Sequence, residues 1–533
     1  MKVELIPELR RHIVQYLDFD TLKTFSLVSK ACYLDAHPIL WEHFSCKVPW
    51  KNPTSPEEYI VWLYKIHRNA RSFKHIYYME YDARRPEIGD ILLDRCHSLV
   101  TIEVTVAMID RWNPYRHWEE TLRPLVERNR VSLRRLKLLV RDIPFMASLQ
   151  LPSLLSTLSG LQFLELNLEQ MPVEDLLPVL DACPSSLEHL DLGPNLRRRK
   201  LIQEDSVTHP LQSPGSTTAT SLRLKQLHIH SVSHESTLED VLSRLAVYTL
   251  EELKIDTITT VTYPIRISPT LRDALWQLTD LHLENIHPSP GRGAPLILDA
   301  IQPHHLRHVN MSKLDTECTT KLIEQQYGSL ESLNVGFLRG HAGALADILA
   351  TCVKLKKLVF AAKPFVDIQT LIDPQHPWVC TELEVLNGVF GLSRFTPSPP
   401  SPSDSNGFND TERSRQVEDQ FMQRLGRLTK LRRLVQQVAF VDRSMTTEVD
   451  RGTMAWSLSS GLAHLGSLAN LKTFLFAHQD LPKGIGIPEM TFIKQHWHGL
   501  RRLACSEINN SDLEEWLATE WPELKVTLLG RAK

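Results

Sequence analysis

One short pattern recurs so often along this chain that it leaves few architectures open: a leucine, two residues, a second apolar residue, one residue, and a third apolar residue. It appears as Leu99-Ile102-Val104, Leu133-Leu136-Leu138, Leu161-Leu164-Leu166, Leu187-Leu190-Leu192, Leu224-Leu227-Ile229 and Leu250-Leu253-Ile255. It continues as Leu278-Leu281-Leu283, Leu306-Val309-Met311, Leu330-Leu333-Val335 and Leu355-Leu358-Phe360, weakens at Leu383 and Leu431, and returns at Leu471-Phe474-Phe476 and Leu500-Leu503-Cys505. Phe73-Ile76-Tyr78 reads as a degenerate first copy. The second and third apolar residues alternate inward along a short strand, and the first enters it at a turn of the coil. A lone copy means little, but roughly fourteen at near-regular spacing require one strand per repeat.

In the best stretch the period is about 26 residues, within the leucine-rich-repeat range. Between strands the apolar spacing turns helical, as in Val173 to Cys183, Leu238 to Val247, Leu271 to Leu278, Thr319 to Gln326 and Ala344 to Val353. A single such unit leaves an apolar face open, and stacked neighbours close it. The expected fold class is therefore α/β: a solenoid over 72–533 with a curved parallel sheet and helices on its convex side. Two flexible insertions are expected, at about 203–221 and 394–416, with a shorter Pro/Gly loop from His287 to Pro295. The second insertion contains Thr396-Pro397-Ser398-Pro399-Pro400-Ser401-Pro402, whose Thr-Pro and Ser-Pro steps fit a proline-directed kinase as well as an unmodified solvated loop. The cluster Arg197-Arg198-Arg199-Lys200 reads first as solvated loop.

Residues 1–45 have a different grammar. Pro7 fits the first turn of a helix, where its missing N–H is harmless, and Leu9, Ile13, Tyr16 and Leu17 share one face. Asp20 is placed to cap a second helix carrying Leu22, Phe25 and Val28, and a third helix is expected to start after Lys30 and end near His37-Pro38. A domain this small seldom buries enough apolar surface to stand alone. Over 46–71, Ser55-Pro56-Glu57-Glu58 starts a linker helix with Tyr59, Leu63 and Ile66 on one side. The order Leu5-Ile6-Pro7-Glu8-Leu9, Ile13, Leu17, Leu22, Leu27-Val28-Ser29-Lys30 and Pro38-Ile39-Leu40-Trp41 resembles the F-box. The whole then resembles F-box proteins with leucine-rich repeats, the substrate receptors of SCF-type ubiquitin ligases. That resemblance implies docking of the Skp adaptor, and through it the cullin-RING machinery, by Leu5, Ile6, Pro7, Leu9, Ile13, Leu17, Leu22, Leu27, Val28 and Trp41. The alternative is a repeat scaffold whose first helices serve only as a cap.

A net charge of -3 gives no broad field for nucleic acid or an anionic membrane, and neither is expected as a partner. Eight cysteines without a CxxC pair fit reduced thiols in a cytosolic or nuclear protein, and no apolar run of membrane-spanning length occurs. Phosphate-loop, dinucleotide, zinc-protease and serine-hydrolase motifs are missing, so no catalytic residue, cofactor or metal is expected.

Recognition of a protein target is assigned to the concave strand face. There His189, Asp191, Gln226, His228, Glu252, Lys254, Asp280, His282, His308 and Asn310 flank the middle apolar residues of successive strands. Strands about 4.8 Å apart bring such side chains into contact. A recognition surface and a merely solvated face both fit this band. Further along the same columns turn apolar at Val359, Val385, Val435, Leu475 and Ala504, which read as an exposed docking patch or as residues covered by another segment.

Overall fold

The computed structural model describes residues 6–45, 56–78, 86–106, 118–140, 150–168, 173–194, 222–232, 235–246, 249–258, 269–284, 293–338, 343–362, 366–392, 409–437, 454, 456–477, 485–505, 508 and 510–528. Leu5, Cys46, Ser55, the basic cluster at 197–200, the insertion at 203–221 and the Thr-Pro/Ser-Pro stretch lie outside them.

The chain opens with three short helices, α1 (Pro7–Val14), α2 (Phe19–Ser26) and α3 (Lys30–Leu40). Pro7 occupies the first turn of α1. The cap of α2 is Asp18 and not Asp20: the Asp18 carboxylate accepts the Thr21 N–H at 2.8 Å, while Asp20 sits inside the first turn facing Lys23. Ser29 caps α3 by accepting the Cys32 N–H at 3.1 Å. Contrary to expectation, α3 does not stop at His37-Pro38 but runs through Pro38 to Leu40. The reason is packing: Ala36 is fully buried with Val14 and Leu22, and Ile39 and Leu40 close over that cluster. Burial of this last turn outweighs the hydrogen bond that proline cannot make. Arg10 joins α1 to α3 through Asp35 at 2.8 Å.

The three-helix module is joined to the first repeat by a strand that the repeat pattern did not announce. β1 (His43–Ser45) pairs in parallel with β2 (His75–Tyr78). The Glu42 carbonyl accepts the N–H groups of Lys74 and His75 at 2.9 and 3.0 Å, and Trp41 stacks on Phe73 with ring centroids 6.3 Å apart. The helix α4 (Pro56–Asn69) begins at Pro56, buries Ile66 and Asn69, and keeps Tyr59 and Leu63 half-buried.

The described residues form two compact units, one from Ile6 to Ile258 with Pro269–Ala274, the other from Leu275 to Leu528. In the first, β1 and β2 are followed by β3 (Thr101–Val106), β4 (Arg135–Val140), β5 (Phe163–Leu168), β6 (His189–Pro194), β7 (Gln226–Val232) and β8 (Glu252–Ile258), each parallel to the one before. The middle apolar residue of each motif stands in register with the next, Ile76, Ile102, Leu136, Leu164, Leu190, Leu227 and Leu253, and all are buried. Each strand is entered the same way: one carbonyl accepts two successive N–H groups of the next repeat, as Val100 does from Arg134 and Arg135 at 2.9 and 3.0 Å. Between strands, the buried Asn129 closes the turn, accepting the Leu99 N–H at 2.9 Å and donating to the carbonyls of Cys96 and Leu125.

The second unit repeats the scheme through β9 (Asp280–Leu283), β10 (His308–Met311), β11 (Ser332–Leu338) and β12 (Lys357–Ala362). A small pair, β13 (Val366–Asp367) and β15 (Phe390–Gly391), flanks β14 (Val385–Gly388). From β14 the ladder runs on through β16 (Arg433–Gln437), β17 (Thr473–Ala477), β18 (Arg502–Cys505) and β19 (Lys525–Leu528). The weak copies at Leu383 and Leu431 are thus full strands, and β19 is a further strand carrying Val526 with Leu524 before it. The insertion expected over 394–416 is shorter than its sequence suggested, because Asn409–Gly426 is one helix. Phe421, Met422 and Leu425 bury its inner face, and Arg424 donates to the carbonyls of Leu371, Ile372, Asp373 and His376 at the end of the helix Ile368–Leu371. The loop expected to reach Pro295 is likewise cut short by the helix Gly293–Ala300.

Candidate functional site

Candidate residues lie on two surfaces, one on the helical module and one on the strand face opposite the buried leucines. On the module, the apolar residues divide by side. Ile6 is 63% exposed, Leu9 43%, Leu27 84% and Val28 71%, and Tyr16 and Leu34 also stand in water. Pro7 is exposed, Ile13 is half-buried and Leu17 packs partly against the core. Two residues assigned to adaptor binding face elsewhere. Leu22 is 2% exposed and forms the module's own core with Val14 and Ala36. Trp41 is half-buried against Phe73, so it serves the joint with the first repeat.

On the strand face of the first unit the polar columns are built by the period of two: in β7, buried Leu227 and Ile229 alternate with half-exposed His228 and His230. The side chains form an ionic chain across strands. Lys137 reaches Glu165 at 2.8 Å and Glu103 at 3.6 Å; burial pulls its ammonium down, but the two carboxylates outweigh this and hold it above its ordinary value. Further along, Phe163 is covered by the Arg135 guanidinium at 3.9 Å, and His189 contacts Gln226 at 2.7 Å. Glu252 stands in register beside Gln226.

The densest feature is a ring of four. His228 Nδ1 lies 3.0 Å from Asp191 Oδ2 and its Nε2 3.0 Å from Asp256 Oδ2. His230 Nε2 lies 3.1 Å from Asp191 Oδ1 and its Nδ1 3.0 Å from Asp256 Oδ2. The imidazole centroids are 4.1 Å apart, and Lys254 contacts Asp256 Oδ1 at 3.2 Å. Burial pushes the Asp191 carboxyl up, but the two histidines outweigh it and hold it well below the carboxylate range. Burial likewise lowers His228, and Asp191 and Asp256 more than restore it, leaving it above an ordinary imidazole. His230 and Asp256 were not among the sequence candidates. They stand two residues beyond His228 and Lys254, so the alternation that nominated one pair also carried the other.

In the second unit the polar band is looser. Asp280 accepts the Thr279 hydroxyl at 2.6 Å, His282 and Asn310 meet at 3.4 Å, and His308 stands in register between Asp280 and Ser332. Val359 is half-buried between Asn334 and Asn387. Val435 and Leu475 are not exposed: in register on adjacent strands, they form a buried cluster with Ala504 and offer no docking patch. Among the described residues seven cysteines are free and buried, and burial raises the thiols of Cys96, Cys183 and Cys380 to about 12. No described helix is long and apolar enough to cross a membrane.

In-register parallel strands, buried motif leucines and intervening helices define an α/β leucine-rich-repeat protein headed by a three-helix module. No protein-family model and no curated protein matches the chain. Solved structures do match. A complex of TLR13 with ssRNA13 aligns at 13% identity and a TM-score of 0.36, over 75% of this chain and 49% of that one, so the chain spans about half of TLR13's length. The leucine-rich repeat-containing protein LegL7 from Legionella pneumophila aligns at 12% identity and a TM-score of 0.29, over 65% and 94%. A complex of Rad7 and Elc1 in yeast aligns at 11% identity and a TM-score of 0.37, over 99% of each chain.

Proposed function

We propose that this chain is a substrate-receptor subunit of an SCF-type ubiquitin ligase. Its helical module docks on the Skp adaptor, and through it on the cullin-RING machinery, while the half-exposed strand face holds a protein target. The observation that carries this reading is the outward apolar set Ile6, Leu9, Leu27 and Val28 on a module whose core is already filled by Val14, Leu22 and Ala36. Covering such side chains gains about 1.5–3 kcal/mol each, enough together to support a specific complex.

The joint supports the same reading. Strand pairing of β1 with β2 and the Trp41–Phe73 stack tie the module to the first repeat, so an adaptor held by one is at a set distance from a target held by the other. The chain performs no bond chemistry in this scheme; it contributes proximity and orientation to a transfer carried out by the recruited conjugating enzyme. We assign its action to the cytosol or nucleus, which the free buried thiols support. Co-purification from cells tests the proposal: the Skp adaptor is recovered with the natural chain and lost with Leu27→Asp plus Val28→Asp. If no adaptor accompanies a folded chain, it is a repeat scaffold without ligase assembly.

A further inference from the structure

The ring on β6, β7 and β8 has a stoichiometry problem that points to a ligand. Each imidazole directs both of its nitrogens at carboxylate oxygens, 3.0–3.1 Å away. A neutral imidazole has one N–H, so it satisfies only one of its two contacts. The two rings lie 4.1 Å apart with Lys254 beside them, and a dication held by the nitrogens that face Asp191 leaves each ring one N–H for its remaining contact.

We propose that Asp191, His228 and His230 bind a divalent transition-metal ion, with zinc the ion they suit best. Their ligand atoms all lie within 4.8 Å of one another. The division of labour follows from which nitrogen faces which carboxylate. His228 Nδ1 and His230 Nε2 turn toward Asp191 and are the metal-binding nitrogens. His228 Nε2 and His230 Nδ1 both turn toward Asp256 Oδ2 at 3.0 Å, so with metal bound each N–H has an acceptor. A carboxylate behind a metal-bound imidazole fixes its tautomer and orientation, and Lys254 at 3.2 Å steadies that carboxylate in turn. Asp191 Oδ1 is shielded from solvent, with His230 Nε2 3.1 Å away. Two imidazoles and a carboxylate match the donor set of a three-ligand zinc site, which keeps its fourth position for water or an incoming group. On a half-exposed strand face, that position is open to a histidine, cysteine or carboxylate of a bound protein. The site does not depend on the ligase reading, since it is a property of the isolated chain.

The test uses the full chain without a histidine tag, stripped with chelator and titrated with zinc alone, with cobalt as a spectroscopic stand-in. One zinc per chain is expected, and cobalt is expected to give the intense visible bands of a four-coordinate ion. His228→Gln plus His230→Gln abolishes both signals, and Asp256→Asn, which leaves all three ligands in place, weakens zinc about 10- to 100-fold. His189→Gln, on the same face, leaves them unchanged. Should the double histidine variant fail to fold, Asp191→Asn replaces it, with the melting transition as the check. Zinc binding that is absent in the folded natural chain, or that survives loss of either the His pair or Asp191, overturns the proposal.

Discussion

Leu164 sits at the centre of β5 with no exposed surface, and its in-register neighbours Leu136 and Leu190 are as deeply buried. Leu164→Ala removes three carbons, about 2.4 kcal/mol at about 0.8 per buried methylene. The hole cannot close by moving the strand, because β5 is hydrogen-bonded along its length to β4 and β6. An added cavity term of about 1 kcal/mol brings the total to about 3–4 kcal/mol, inside the range for buried leucines. A chain with two compact units and many repeats is not a two-state system, so the readout is amide hydrogen exchange strand by strand. A loss of about 3 kcal/mol accelerates exchange about 150-fold where opening is local. Since each repeat is closed by its neighbours, β4 and β6 are expected to lose protection together with β5. Leu27→Ala, at a site 84% exposed, is the matched control and changes stability by less than about 0.5 kcal/mol. An acceleration under threefold in β5, or one confined to β5 alone, refutes the stacked-repeat reasoning.

Three further outcomes are expected. Asn129→Ala leaves the buried Leu99 N–H and the Cys96 carbonyl without that side chain's partners, while Leu125 keeps the backbone N–H of residue 129, and costs about 2–3 kcal/mol, seen as faster amide exchange in β3 and β4; unchanged exchange contradicts the turn-closing role. Asp18→Ala costs about 1 kcal/mol in protection of α2 and Asp20→Ala almost nothing, and the reverse order contradicts the cap assignment. Burial, aided by the charge of Arg68, holds His37 below its usual 6.5, and burial with His43 does the same to His75, on the two sides of the joint. Because the unfolded chain then takes up protons that the folded one refuses, stability at the joint is full above about pH 6.5 and falls as the pH drops below it. Exchange of β1 and β2 amides at pH 7 and pH 5 checks the sign, and greater protection at pH 5 contradicts it.

The repeat strands were legible because burial at three fixed positions leaves its mark whatever the other residues are. β1 escaped notice because its register comes from pairing with His75–Tyr77 and not from a motif of its own, and β19 because Leu524 stands two residues and not three before Val526, leaving Glu523 at the position where the motif has leucine. The helix Asn409–Gly426 was hidden behind a Ser/Pro-rich stretch, although Val417, Phe421 and Leu425 already stood four apart. The end of α3 depended on what Ile39 and Leu40 touch, which no local rule for proline contains. At the module, sequence marks a residue as apolar without saying which side it faces; Leu22 turned inward and Leu27 and Val28 outward. On the strand face the columns named His228 and Asp191, while the ring that unites them with His230 and Asp256 needed the register between β6, β7 and β8.

The proposed function stands on the outward side of the first helices as an adaptor-binding surface. Direct binding of purified chain to purified Skp adaptor, measured by calorimetry, tests it without any cellular intermediary. A one-to-one complex is expected, weakened at least 10-fold by Leu27→Asp plus Val28→Asp in a chain whose melting is unchanged. Absence of binding, or affinity indifferent to those two residues, contradicts it.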